Sequence, residues 1–163
     1  MAKKDHLPLY GVGPFYVYCV VLLTVAAVLM RNLSFLSSGR VDPLRVPLLV
    51  LGIIFIVLGV VLWVMAVFGA KIDANIVKNQ LVTTGVYAWV RNPIYSAFMI
   101  ISTGVVLILG NLWFFVVPVL EWVFMTVLMR NTEEKWLLKQ YGKDYEEYCS
   151  RVNRCWPWIP KKG

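Results

Sequence analysis

The chain is poor in the groups that build most active sites. It holds one histidine, His6, in 163 residues, and that histidine lies in the polar N-terminal tail, where a solvated side chain is expected. Its three cysteines, Cys19, Cys149 and Cys155, show neither metal-ligand spacing nor a disulfide framework. No G-x-G-x-x-G or Walker pattern follows a strand, which removes the nucleotide-binding folds those signatures mark. Charge is scarce as well: 15% of the residues are charged against 60% hydrophobic, and the mean hydropathy is +0.70. A soluble domain of this size cannot hide that much apolar surface, and the apolar residues come in long runs. Acidic residues are the rarer sign, nine against sixteen basic, for a net charge of +7. In a membrane chain such an excess reports orientation and contact with anionic lipid, so nucleic acid is not the implied partner.

What is present is mostly apolar helix. Residues 14–30 carry no charge. A signal peptide led by Lys3 and Lys4 is the rival reading, but the run is long and no small-x-small site precedes Arg31, so a retained first span is expected. A polar loop over 31–45 leads to a second span, 46–68, with Pro47 near its start and Gly52 and Gly59 inside as close-packing positions. A long connection, 69–93, precedes a third span at 94–109. Gly110-Asn111 alone separates it from a fourth at 112–129, which makes the two an antiparallel hairpin with Asn111 in its turn.

From Arg130 the chain turns charged and aromatic. Trp136, Leu137, Leu138 and Tyr141 form a helical stripe stopped near Gly142, and a second short helix is expected over 144–152. Too polar to span, residues 130–163 read as interfacial helices anchored by Trp and Tyr, capped by Trp156 and Trp158 with Pro157 and Pro160. The predicted fold class is all-α: one polytopic membrane domain over 1–163, with four transmembrane helices and C-terminal interfacial helices. Four crossings put both termini and the 69–93 connection on one side. That side carries Lys3, Lys4, Lys71, Lys78, Arg91 and eight basic residues from Arg130 onward, against Arg31, Arg40 and Arg45 opposite. The positive-inside rule makes it cytoplasmic. The connection and the tail then face each other.

Nearly every polar group able to do chemistry lies in those two segments. Residues 81–96, LVTTGVYAWVRNPIYS, read as a loop that ends by starting a helix, with Asn92 as N-cap and Pro93 as first helical residue. An arginine, Arg91, beside a helix N-terminus suits a carboxylate or phosphate. Arg130 stands three and four positions before Glu133 and Glu134, so one helix face is expected to hold all three, with an ion pair at the helix end as the plain alternative. Glu121, inside the fourth span, lies roughly on the face opposite Arg130. A helix–helix hydrogen bond or a place in a substrate-cavity wall is favoured for it over a cofactor contact, and with an amine acceptor it would serve as base.

These residues, in this order, resemble a known family. LVTTGVYAWVRNPIY, followed after two spans by EEKWLLKQYGKDYEEYCSRV, is similar to the integral-membrane methyltransferases, which include isoprenylcysteine carboxyl methyltransferase and the phospholipid N-methyltransferases. Leu81, Val82, Thr83, Gly85, Tyr87, Val90, Arg91, Pro93 and Tyr95 match the first motif, Glu133 and Glu134 the second, and Tyr141, Gly142, Tyr145 and Tyr148 roughly the third. The resemblance covers residues 81–153. It implies S-adenosylmethionine as cofactor, held by Leu81, Thr83, Gly85, Val86, Tyr87, Arg91, Asn92, Pro93, Tyr95, Glu133 and Glu134. Arg91 and the following helix N-terminus would take the donor's carboxylate. A glutamate and the faces of Tyr87 or Tyr95 would take its cationic groups. It further implies Arg130 and Glu134 as the catalytic pair, Arg130 engaging an acceptor carboxylate, and a lipophilic acceptor entering from the bilayer. Asn92 stands where the best-known members carry histidine, so this position cannot titrate, which argues against a general base there and against an isoprenylcysteine acceptor. Two rival functions are a membrane reductase of the steroid and sterol type, using NADPH, and a non-enzymatic scaffold whose polar cluster meets lipid headgroups.

Overall fold

Prolines set where the helices start. In the computed structural model, which describes residues 11–69 and 81–160, α1 (Gly13–Met30) begins at Gly13-Pro14, α2 (Arg45–Gly69) has Pro47 in its first turn, and α3 begins at Pro93 itself (Pro93–Leu109). Proline lacks an amide hydrogen that would be unpaired there in any case, and its φ is preset for the helix. The polar tail with Lys3, Lys4 and His6, and Lys71 and Lys78 of the 69–93 connection, lie outside the described residues. Gly110 ends α3 in the left-handed region, at φ +59°, and after one tight turn at Leu112–Phe115 the chain continues as α4 (Val116–Asn131). The expected hairpin is therefore present. Asn111 does more than turn: it is buried, its side chain donates to Leu36 O at 2.8 Å and accepts from the Trp113 amide at 3.0 Å, tying the 31–45 loop to the hairpin.

The described residues form helices, turns and two isolated bridges, with no strand among them. Three helical stretches are long and apolar enough to cross a membrane: Gly13–Met30, Asp42–Gly69 and Leu112–Tyr141. The fourth apolar helix, α3, has 17 residues. At about 1.5 Å per residue that is roughly 26 Å, slightly under a ~30 Å hydrocarbon core. It is also the central helix, packed against α2, α1 and α4.

Small residues let α3 approach α2 until the backbones touch. A Cβ on Gly52 would sit 2.6 Å from Gly104 O, one on Gly104 2.6 Å from Gly52 O, and one on Gly59 2.9 Å from Ala97 O. Gly52 and Gly59 thus hold the packing role expected of them, and Gly104 completes the seam. On the other flank of α3, Thr24 of α1 donates to Ser102 at 2.7 Å, and Ser102 donates to Glu121 Oε1 of α4, also at 2.7 Å. Glu121 is fully buried and joins three helices, as a helix–helix hydrogen bond should.

Thr132 breaks the helix after α4, with φ −126° and ψ −90°, and α5 (Glu133–Tyr141) starts after the break. The sequence reading of Arg130, Glu133 and Glu134 on one continuous helix face is corrected by this break. Gly142, at φ +53°, then separates α5 from α6 (Lys143–Arg151), close to the expected boundary.

Candidate functional site

The described part of the loop, 81–92, is fastened on one side by apolar side chains. Val86 and Val90 are buried against Leu62 and Ala66 of α2 and Ala97 and Ile100 of α3. Leu81 packs instead on the tail, against Tyr145, Tyr148 and Val152. Between them a tight turn spans Gly85–Ala88, and Gly85 takes φ +63°, a conformation that favours glycine, with open space where a Cβ would stand. Thr83 is half-buried at the approach to this turn.

The other side of the loop is covered by the tail, through backbone groups. Tyr148 donates its hydroxyl to Tyr87 O at 2.6 Å, the Arg91 amide donates to Asn153 O at 2.8 Å, and the Trp158 amide donates to Trp89 O at 3.1 Å. Asn92 joins in with its side chain, donating Nδ2 to Arg154 O at 3.2 Å. The expected side-chain cap at Asn92 is therefore not made. The residue keeps the N-cap position through its carbonyl, which accepts from the Ser96 amide at 3.0 Å, while its amide group is spent on the tail. Pro93 is buried as the first residue of α3. Burial, helped by the nearby Glu133, holds the Tyr87 hydroxyl well above its ordinary pKa, so it remains a neutral donor.

The two consecutive glutamates face different neighbours. Glu133 Oε1 accepts from the Tyr95 hydroxyl and from the Val12 amide, both at 3.1 Å, joining α5, α3 and the approach to α1. Glu134 lies between two guanidiniums. Arg91 Nη1 is 3.1 Å from Glu134 Oε1, and Arg154 grips both oxygens, Nε to Oε1 at 2.5 Å and Nη2 to Oε2 at 2.9 Å. That hydrogen bond raises the pKa of Arg154 further. Arg91 Nη1 also donates to Cys149 Sγ, yet its Nε is buried with no partner among the described residues.

Beside this ion triad opens a cavity of about 300 Å³, lined by Arg130, Glu134, Lys135, Leu138, Tyr145, Glu146 and Cys149. Both residues expected to be catalytic, Arg130 and Glu134, are at its wall, and Arg130 makes no ion pair among the described residues. Arg91 reaches it through Glu134 and Cys149. Tyr87, Tyr95, Glu133, Thr83 and Gly85 lie outside its lining. Sequence reasoning missed Arg154 and Cys149. Apart from Arg130, the basic tail residues bear in the sequence on orientation alone, although a carboxylate withdrawn from water needs a counter-charge, and Arg154 is one.

Residues 46–144 match the family described as phospholipid methyltransferase. Among curated proteins, the chain is 35% identical over 123 residues to the protein-S-isoprenylcysteine O-methyltransferase of Homo sapiens, covering 68% of this chain and 41% of that protein. It is 30% identical over 121 residues to the probable protein-S-isoprenylcysteine O-methyltransferase of Oryza sativa subsp. japonica, covering 66% and 60%. Against the protein-S-isoprenylcysteine O-methyltransferase of Schizosaccharomyces pombe it is 38% identical over 86 residues, covering 50% and 35%. The chain thus spans between about a third and three fifths of the length of these relatives. No solved structure matches.

Proposed function

The chain belongs to the phospholipid methyltransferase family, and on that premise we propose that it is an S-adenosylmethionine-dependent membrane methyltransferase acting on a lipophilic acceptor. The observation that carries this reading is the cavity beside the Arg91–Glu134–Arg154 triad, lined by cations and carboxylates of residues 130–149 together with Tyr145 and Leu138. A zwitterionic donor with an adenosine needs that mixture. The buried, unpartnered Arg91 Nε supports the fit, since it leaves a spare hydrogen-bond donor beside the triad. When bound, S-adenosylmethionine supplies an electrophilic methyl group on a cationic sulfonium.

The chain's own residues then have roles of position and charge. Arg91 offers its guanidinium to the donor's carboxylate, and Glu134 its carboxylate to a cationic group. Thr83 and Gly85 leave open backbone for the adenosine, while the half-buried Leu81 and the buried Val86 and Pro93, with Asn92, Tyr87, Tyr95 and Glu133, keep loop, α3 and α5 in register. Arg130, exposed at the cavity wall and without an ion pair among the described residues, orients an acceptor carboxylate. Asn92 cannot titrate, so catalysis rests on alignment and exclusion of water. In this reading all four apolar helices cross the bilayer, and the domain is single. The termini and the site are cytoplasmic. Helices α5 and α6 lie at the interface, with the exposed Trp136, Trp156 and Trp158 as anchors. The names of the relatives make an S-isoprenylcysteine carboxylate the first acceptor to try, with a phospholipid amine as the rival.

The test is calorimetric binding of S-adenosylhomocysteine to the full chain in detergent, followed by transfer of labelled methyl to an N-acetyl-S-farnesylcysteine acceptor. Saturable binding and ester formation are expected. Absence of any saturable binding would overturn the reading.

A further inference from the structure

The unusual feature of the loop–tail junction is that one carboxylate is held by two arginines. Glu134 receives Arg154 through two hydrogen bonds, at 2.5 and 2.9 Å, and Arg91 at 3.1 Å. The triad carries a net positive charge and one nitrogen, Arg91 Nε, with no acceptor among the described residues. Arg91 is 9% exposed, Arg154 23% and Glu134 15%, and Glu134 is the member that lines the cavity. Two converging guanidiniums bind a carboxylate more strongly than one, because the planar fork pairs with both oxygens.

Resting on the proposed function, we infer that Arg154 is a binding residue for the donor's amino-acid end, and that Glu134 is its internal stand-in. The two arginines form a receptor for one carboxylate. In the structure Glu134 fills it. A ligand bearing both an α-carboxylate and an α-ammonium can exchange with it: its carboxylate takes the place of Glu134 between Arg91 and Arg154, and Glu134, released toward the cavity, pairs with the ammonium. Both arginine pairs are kept, one pair is added between Glu134 and the ammonium, and no charge is left buried alone, which keeps the exchange inexpensive. The position of Arg154 supports the assignment. Its carbonyl accepts from Asn92, directly before α3, and its side chain reaches Glu134 of α5, so the residue is fixed to the loop at one end and to α5 at the other.

A merely structural Arg154 would hold the tail in place and affect every adenosine ligand alike. The test therefore compares S-adenosylhomocysteine with 5′-methylthioadenosine, which keeps the adenosine and thioether but has no amino acid. In the full chain in detergent, Arg154→Ala should weaken S-adenosylhomocysteine by about ten- to a hundredfold, as expected for a lost charge-assisted hydrogen bond, and leave 5′-methylthioadenosine within about twofold. Arg154→Lys should recover part of the loss. An equal loss for both ligands, or none for either, overturns the assignment while leaving the methyltransferase reading standing. A wild-type chain that binds neither ligand overturns both. Should the variant not fold, the wild-type chain decides: it should prefer S-adenosylhomocysteine over the analogue lacking only the α-carboxylate by at least about tenfold, and equal binding of the two sinks the inference.

Discussion

Two carboxylates withdrawn from solvent, Glu121 and Glu134, are partnered in different ways, and Glu121 Oε2 has no partner among the described residues. Within the helix bundle, Glu121 receives one hydroxyl, from Ser102, itself backed by Thr24. At the loop–tail junction, Glu134 receives two guanidiniums. The first arrangement contains no countercharge among its partners, and with Tyr16 of α1 donating to the Glu121 carbonyl its work is to hold α1, α3 and α4 in register. The second is rich in charge and borders a cavity, so its partners can be exchanged for those of a ligand. The depth of a carboxylate therefore says little about its use. Whether charged neighbours and open space accompany it says more.

Breaking the charged arrangement should have the larger effect. Glu134→Ala leaves Arg91 and Arg154 facing each other without their shared carboxylate, and removing one partner of a buried pair costs about 3–5 kcal/mol. A large fall in melting temperature and loss of S-adenosylhomocysteine binding are expected together, read by thermal denaturation and calorimetry. The hydroxyl-bonded arrangement should be gentler. Glu121→Leu orphans Ser102 and should cost about 1–3 kcal/mol, whereas Glu121→Gln keeps an acceptor and should cost under about 1 kcal/mol, with ligand affinity unchanged in both. If Glu121→Gln instead abolishes methyl transfer while the fold survives, the bundle carboxylate is catalytic and the contrast collapses. Asn92→Ala removes only the bond to Arg154 O and should cost about 0.5–1.5 kcal/mol, with a few-fold weaker ligand binding as the tail loosens.

The two tail cysteines sharpen the comparison with the smallest perturbation. Cys155 is buried, and burial raises its thiol pKa, so it remains protonated through neutral pH. Because the folded pKa is raised, the contribution is present below the ordinary thiol value, near 8.5, and is lost as pH climbs above it. Maleimide at pH 7 should therefore label the half-buried, cavity-lining Cys149 first and leave Cys155 until the chain unfolds. Mass spectrometry of the labelled peptides checks the order, and bound S-adenosylhomocysteine should slow labelling of Cys149.

Much of this was open to reading in one dimension. The helix starts at Pro14, Pro47 and Pro93, the stops at Gly110 and Gly142, and the packing role of Gly52 and Gly59 follow from backbone chemistry that acts within a few residues. The facing of loop and tail followed from counting crossings, and backbone bonds such as Arg91 to Asn153 now accompany it. The side-chain assignments fared differently. Asn92 has the residue type of a cap, yet its amide group finds a better-placed acceptor on the tail. Arg130 and Glu134 have helical spacing, yet Thr132 breaks the helix between them, and they meet at a cavity wall instead.

What the sequence determined by itself is therefore local or compositional: apolar helices, their ends, the membrane environment and the family motifs. Which partner each polar side chain takes was decided by the tertiary structure. The competing acceptors and donors lie 20 to 62 residues apart along the chain, as for Arg154 with Glu134 and Asn92 with Arg154. At such separations no periodicity links them. Only the docking of α5, α6 and the tail onto the loop brings Arg154 to Glu134, and so gives that glutamate its two arginines rather than none.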